Sequence, residues 1–310
     1  MKFEPKSIAI GAAAGLAAAL LCASSGALSF VSLLSFFAAP LPVMLAGLGW
    51  GPASGLAAVL AAFGAIAGFG HLTLALVIAA TVTIPAAGMA HFASLARASE
   101  DGGMDWYPLS GILPRGAALV AAGFAASGIL IGYSAEFIAV FVDELVRQML
   151  AANPEMQIDA AGKARFAAFL TAAMPYAQPA TWLLAIIANF YAALHIARLS
   201  GLLQRPRDFW PSDLRLPRMA AAALAIALAL SMLSGGIGNL AAVAAGTLMM
   251  AFLAVGLALL HEMTLGKTWR TPALSAAYLG VMLAAPLIIL FLIAGIASAI
   301  KQPSQTRTTH

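Results

Sequence analysis

The sequence predicts an all-α protein, a polytopic transmembrane helical bundle, and three observations carry that prediction. Only 9% of the 310 residues are charged and 62% are hydrophobic, whereas about a quarter of an average soluble chain is charged. Mean hydropathy is +0.95, and Asp, Glu, Lys and Arg are absent from 7–96, 116–135, 166–197, 219–261 and 271–300. A helix needs roughly 20 apolar residues to cross the hydrocarbon core, and each run holds one or more such lengths. Finally, the charges gather between the runs: Arg198, Arg205, Arg207, Arg215 and Arg218 share the segment RLSGLLQRPRDFWPSDLRLPR at 198–218. A chain so poor in polar groups cannot cover itself with them, so its solvent is lipid.

The first run has room for four spans, near 8–27, 30–49, 53–69 and 72–95, punctuated by SSG at 24–26, GWGP at 49–52 and GFGH at 68–71. Gly and Pro break helices, and Pro52 suits the first turn of the third span. Pro40, Pro42 and Pro85 predict kinks inside the second and fourth. The start, MKFEPKS before an apolar stretch, mimics a signal peptide; because that stretch runs on into more helix, an uncleaved first span is expected. A fifth span is expected at about 113–135 and a sixth at about 176–197. GGIGN at 235–239 divides the next run into a seventh and an eighth, and the ninth covers about 272–299 with a kink at Pro286. An eight-span count returns the C-terminus to the side of the N-terminus.

Basic loop residues set orientation. With the N-terminus inside, the cytoplasmic side collects Lys2, Lys6, Arg97, Arg115, the five arginines of 198–218, Lys267 and Arg270; the outer side has Arg147, Lys163, Arg165, Lys301 and Arg307. The chain then divides into a core over 1–197, a cytoplasmic Arg-rich loop over 198–218, and a C-terminal part with a short tail over 219–310. Within the core, EFIAVFVDELVRQML at 136–150 reads as an amphipathic helix, with Asp143, Glu144, Arg147 and Gln148 on one face. A second helix from Asp159 to Pro175 would complete an outer-face hairpin over 136–175, lying in the headgroups or serving as a lid.

Chemistry is sparser. No acid or base lies deep in a span, which counts against a proton pump and against intramembrane acid–base catalysis. The lone Cys22 excludes an intrachain disulfide and a cysteine-based metal site. No basic run with interleaved aromatics points to nucleic acid, and no GxxxxGK[ST] motif points to nucleotide binding. His91, His195 and His261 recur near the cytoplasmic ends of spans; they suit an interface better than a haem or metal site, and no cofactor or metal is expected. The outer half offers a candidate ligand site: Ser25, His71, Tyr133, Glu136, Tyr176 and Gln178, with Trp182 and Asn189 deeper. A pocket needs a few hydrogen-bonding groups in an apolar wall. A mid-span amide must find a partner, and helix–helix bonding explains Asn189 as well as a ligand does. PYAQP at 175–179 predicts a break in the sixth helix just above it. In the first span Ala9, Ala13 and Ala17 form one small-residue stripe, Gly11 and Gly15 another, and either permits close helix contact.

The segment NFYAALHIARLSGLLQRPRDFWPSDLRLPRM at 189–219 resembles the YybS-like family of uncharacterised bacterial membrane proteins. The likeness lies in a helix ending Asn-aromatic…Ala-Arg, in Phe209, and in Leu214-Arg215-Leu216-Pro217 opening the next helix. The family's aromatic-basic-Leu-Pro run is altered here by Asp213 and Leu214 before Arg215. That family is distantly similar to the substrate-binding S components of energy-coupling-factor transporters. The resemblance implies a six-helix core, substrate entry from the outer face, and Ala9, Ala13 and Ala17 against a transmembrane coupling subunit served by separate ATPases.

The expectation is a non-enzymatic solute- or lipid-binding protein of the bacterial cytoplasmic membrane, which the resemblance makes the recognition subunit of an uptake system. The competing class is an envelope scaffold that recruits protein partners through Arg205, Arg207 and Arg215 and binds no solute.

Overall fold

A computed structural model describes residues 4–23, 30–100, 102–131, 135–153 and 159–301. The described chain is almost wholly helical. Helices α1 (Pro5–Ala23), α2 (Phe30–Ala38), α3 (Pro40–Trp50), α4 (Pro52–Gly68), α5 (Leu72–Ile78) and α6 (Ile84–Ala93) precede a two-stranded hairpin of β1 (Ala96–Ala98) and β2 (Met104–Trp106). Then follow α7 (Leu109–Ile131), α8 (Ala135–Ala152), α9 (Ala160–Leu199), the one-turn α10 (Trp210–Asp213), α11 (Arg218–Ser231), α12 (Gly236–Met263), α13 (Arg270–Leu283) and α14 (Ala285–Lys301).

Among the described residues six segments are long and apolar enough to cross a bilayer: Pro5–Ala23, Phe30–Trp50, Leu72–Ala93, Leu109–Ile131, Ala160–Leu199 and Gly236–Met263. This is a multi-pass membrane protein. Its outward faces carry the apolar side chains expected of a lipid contact, such as Leu20 at 72% exposure and Ile129 at 74%. The expected third and seventh spans are the shorter apolar helices α4 and α11. The expected ninth is two helices meeting at a 115° bend. Pro286 has no N–H for the Met282 carbonyl, so the ladder is already interrupted where the chain turns.

Two spans are broken at their prolines. Between α2 and α3 the Ala39 N–H bonds Phe36 O at 3.1 Å in a tightened turn, where Pro40 has no N–H to offer that carbonyl. Between α5 and α6 the chain widens into a π-helical turn over Ala79–Thr83, just before Pro85. The sixth span departs from expectation in the other direction. PYAQP does not break it: α9 runs unbroken for 40 residues with Pro175 and Pro179 inside, a length of about 60 Å, roughly twice the hydrocarbon core. Alanine-rich flanks hold the helix, and lipid penalises freed backbone groups more than water does. α8 therefore packs on the first turns of α9, which are the extension of the span itself rather than a separate helix. There Lys163 Nζ meets Asp143 Oδ1 at 2.7 Å, and Val146 and Met174 pack with Leu150, Phe166 and Leu170.

Close packing replaces hydrophobic drive between helices in lipid. α1 lies against α4 and α3, and a Cβ on Gly11 or Gly15 would fall 2.2 Å from Ser54 O or 2.1 Å from Ala58 O. The two small-residue stripes thus divide: the glycines are used inside, while Ala9 and Ala13 are exposed and Ala17 is half-buried. α12 is the central post, packed on α9, α14, α11 and α7.

Candidate functional site

The Arg-rich loop is folded back onto the bundle. Arg205 is 2% exposed; its Nε donates to Asp208 Oδ2 at 2.8 Å, its Nη2 to Asp208 Oδ1, and its Nη1 to Tyr107 O at 2.7 Å and Ala93 O at 3.3 Å. A guanidinium so enclosed pins the loop beneath the end of α6 and the strand hairpin, and cannot meet another protein. Arg215 Nη2 pairs with Glu262 Oε2 of α12 at 2.6 Å, so it too serves the fold. Only Arg207, which is exposed, keeps the freedom expected of all three. Asp213 caps α10 by accepting the Phe209 N–H at 2.7 Å. Trp210 then sits against Phe190 and Tyr191, ring centroids 6.1 and 5.1 Å away.

This refolded loop roofs a cavity of about 990 Å³. Its wall on α9 is Leu184, Ile187, Tyr191, Leu194, His195 and Arg198, a spacing of three and four that marks one helix face. α12 contributes Met250, Leu253, Ala254, Leu257, Ala258 and His261; α13 contributes Arg270, Tyr278, Val281 and Met282; the loop contributes residues 207–211 and Leu214. The floor is aliphatic. The polar groups converge at one end, where Arg198, Arg207, Arg270, His195 and His261 meet Phe209, Trp210, Tyr191 and Tyr278. The volume lies at the upper end of the roughly 300–1,000 Å³ of small-molecule sites, which are likewise apolar with a few placed polar groups.

At that end Arg270 Nη1 donates to His261 O at 2.9 Å and Nη2 lies 3.3 Å from His261 Nδ1. A guanidinium only donates, so Nδ1 accepts and the imidazole proton sits on Nε2, 2.9 Å from Tyr278 Oη. This network ties the start of α13 to the end of α12. Asp208 is the one carboxylate in the lining, and both its oxygens are held by Arg205.

Among the described residues, those expected to form a site on the outer half do not line a common cavity. Trp182 Nε1 donates to Thr81 O, the carbonyl that Pro85 deprives of an α-helical donor. Its ring packs on Phe36 and Phe37, 5.1 and 5.6 Å away. Asn189 Nδ2 donates to Phe37 O and to Ala185 O, both at 2.8 Å. Phe37 O lies between the Phe36 and Ala38 carbonyls, which Pro40 and Pro42 leave without helical donors. Of the two readings open for Asn189, helix–helix bonding is the one realised, and neither residue lines the cavity. Tyr176 and Gln178 are half-buried and His71 is exposed, and none of the three lines the cavity either. Tyr176 and His195 are separated by about 28 Å along α9 at 1.5 Å per residue. Glu136 lies on α8, while Ser25 and Tyr133 lie outside the described residues.

Sequence reasoning placed His195, His261, Arg198, Arg207 and Arg270 at one membrane face without joining them. The available signal was two histidines from separate spans at one depth, flanked by arginines and by Trp210. Among the described residues no three His, Cys, Asp or Glu side chains form a group fit to hold a metal; His195 and His261 share the cavity, and His91 stands apart on α6 beside Phe92. Comparison with protein-family models, with curated proteins and with solved structures found no match.

Proposed function

We propose that this chain is a non-enzymatic integral membrane protein that binds an amphipathic small molecule in the cavity between α9, α12, α13 and the 198–218 loop. One observation carries the reading: a volume of about 990 Å³ with an aliphatic floor and all its charged groups at one end. That polarity matches a ligand with an apolar body and a charged head. The lining's one carboxylate is engaged by Arg205, which leaves no carboxylate base for catalysis there. The excess of arginine in this loop supports a cytoplasmic placement of the charged end in a bacterial inner membrane, with the N-terminus on the same side. Membership of the YybS-like family, and a role as recognition subunit of an uptake system, are part of the proposal. Exposed Ala9 and Ala13 on α1 support the latter, since they leave a small-residue face open to a second transmembrane chain. The solute then enters from the inner half of the membrane, in place of the outer pocket expected from S components.

A lipid bearing a photoactivatable group on its acyl chain tests the site. Adducts should concentrate on Met250, Leu253, Leu257 and Met282 and vanish in Ala254→Phe, which fills the floor. Adducts spread evenly over outward residues such as Leu20 and Ile129 would contradict the reading and favour the scaffold.

A further inference from the structure

Three guanidiniums line the charged end of the cavity, and among the described residues none has a carboxylate partner. Arg198 donates to Pro206 O at 3.1 Å, and Arg270 is engaged only by the His261 carbonyl and ring. Among the described residues Arg207 makes no hydrogen bond or ion pair and is exposed. Of the nearby carboxylates, Asp208 is neutralised by the buried Arg205 and Glu262 pairs with Arg215, while Asp213 accepts the Phe209 N–H. The cavity mouth therefore holds three guanidiniums that no carboxylate engages among the described residues, above a floor that no free anion needs.

The surrounding aromatics fix where this excess sits. Trp210, Tyr191 and Tyr278 are the residue types that settle at the membrane–water interface, so the arginines stand at headgroup depth while the aliphatic floor reaches into the hydrocarbon. Guanidinium presents a planar fork of donors suited to two oxygens of one phosphate. A carboxylate or a phosphodiester brings a single negative charge, whereas a terminal phosphate carries about −1.5 to −2 near neutrality. Three unpaired arginines match the latter.

Resting on the amphiphile reading above, we infer that the cavity takes a lipid bearing a terminal phosphate, with Arg198, Arg207 and Arg270 on the head and the chain on the α12 floor. Arg207 and Arg198 hold the head directly. Arg270 does so from the start of α13, where its hold on His261 also fixes that helix over the site.

The test offers the purified full chain equal amounts of phosphatidic acid, phosphatidylglycerol and phosphatidylcholine with identical acyl chains, and counts retained lipid by native mass spectrometry. One phosphatidic acid per chain should be retained about tenfold over the other two, the scale of a charge-assisted bond. Arg207→Gln and Arg198→Gln should each lower that preference severalfold, and the double variant should abolish it, with the melting temperature of Arg207→Gln unchanged. Equal retention of all three lipids by the wild type would overturn the head assignment and leave the amphiphile reading standing. Retention of none, with Ala254→Phe indistinguishable from wild type, would overturn both. Inorganic phosphate that binds as tightly as phosphatidic acid, and displaces it, would make free phosphate the ligand and overturn the lipid.

Discussion

Along α9, Trp182 and Asn189 donate to carbonyls of neighbouring helices, whereas Tyr191, His195 and Arg198, nearer the C-terminal end, face a cavity. The same helix thus uses polar side chains in two ways, and its neighbours decide which. Where α9 passes the proline-broken spans, backbone carbonyls lack donors, and in lipid no water replaces them. The Trp182 indole supplies one to Thr81 O, and the Asn189 amide donates to Phe37 O, which lies beside two such carbonyls. Where α9 passes the intact end of α12, the backbone is already satisfied and the polar groups remain available. A polar residue inside a membrane bundle is therefore read against the prolines of its neighbours before it is assigned to a ligand.

The sharpest break should come from Arg205. Arg205→Ala leaves Asp208, only 14% exposed in its side chain, without its partner, and removing one member of a buried pair costs about 3–5 kcal/mol. The loop should then become accessible to protease in detergent and the cavity should lose its roof. Arg207→Ala, two residues away and exposed, should leave proteolysis unchanged. Equal behaviour of the two variants would show that burial does not separate them.

A smaller effect is expected at Trp182. Trp182→Phe keeps a ring against Phe36 and Phe37 but removes the donor to Thr81 O, leaving a carbonyl unpaired at about 1–3 kcal/mol. Thermal unfolding in detergent should report it, and Thr81→Val, which leaves the carbonyl in place, should not reproduce it. If Trp182→Phe melts like the wild type, the indole bond contributes nothing.

The smallest effect concerns α8. Hydrogen bonds from Gln148 and then Arg147, with the Arg147 charge, hold the Glu144 carboxyl below the usual carboxylate range. A depressed folded value means that this contribution is present above the unfolded pKa and is lost as pH falls through the folded one. Amide protection in α8, taken relative to the intrinsic exchange rate at each pH, should therefore fall on acidification below the ordinary carboxylate range, and Glu144→Gln should flatten that dependence. Protection that is the same at neutral pH and in acid would remove Glu144 from the account of α8.

Much of the bundle was legible because lipid imposes simple rules. Charge-free runs became helices, the amphipathic face at 143–148 became α8, and GWGP produced a break with Gly51 at φ 86° before Pro52 opens α4. Other features depend on contacts that sequence order does not display. The β1–β2 pair is three residues a strand, too short for an alternating pattern. PYAQP carries every local sign of a break, yet the surrounding helix holds. Arg205 and Arg207 are identical in type and two positions apart, and only the packing of Tyr107 O, Ala93 O and Asp208 around one of them separates anchor from rim. The cavity was illegible for the same reason: its wall draws on α9, the loop, α12 and α13, none of which contains a site alone.

The central claim is that ligand binding belongs to the half of α9 facing α12, and helix tying to the half facing the broken spans. Asn189→Leu and Ala254→Phe, purified side by side, test it when melting temperature and co-purified amphiphile per folded molecule are measured on each preparation. Asn189→Leu should lower the melting temperature by the equivalent of about 1–3 kcal/mol and leave retention per folded molecule intact. Ala254→Phe should abolish retention and leave the fold as stable as the ligand-free wild type. The reverse pattern, with ligand lost on Asn189→Leu and kept on Ala254→Phe, would contradict the account and return the site to the Trp182–Asn189 half.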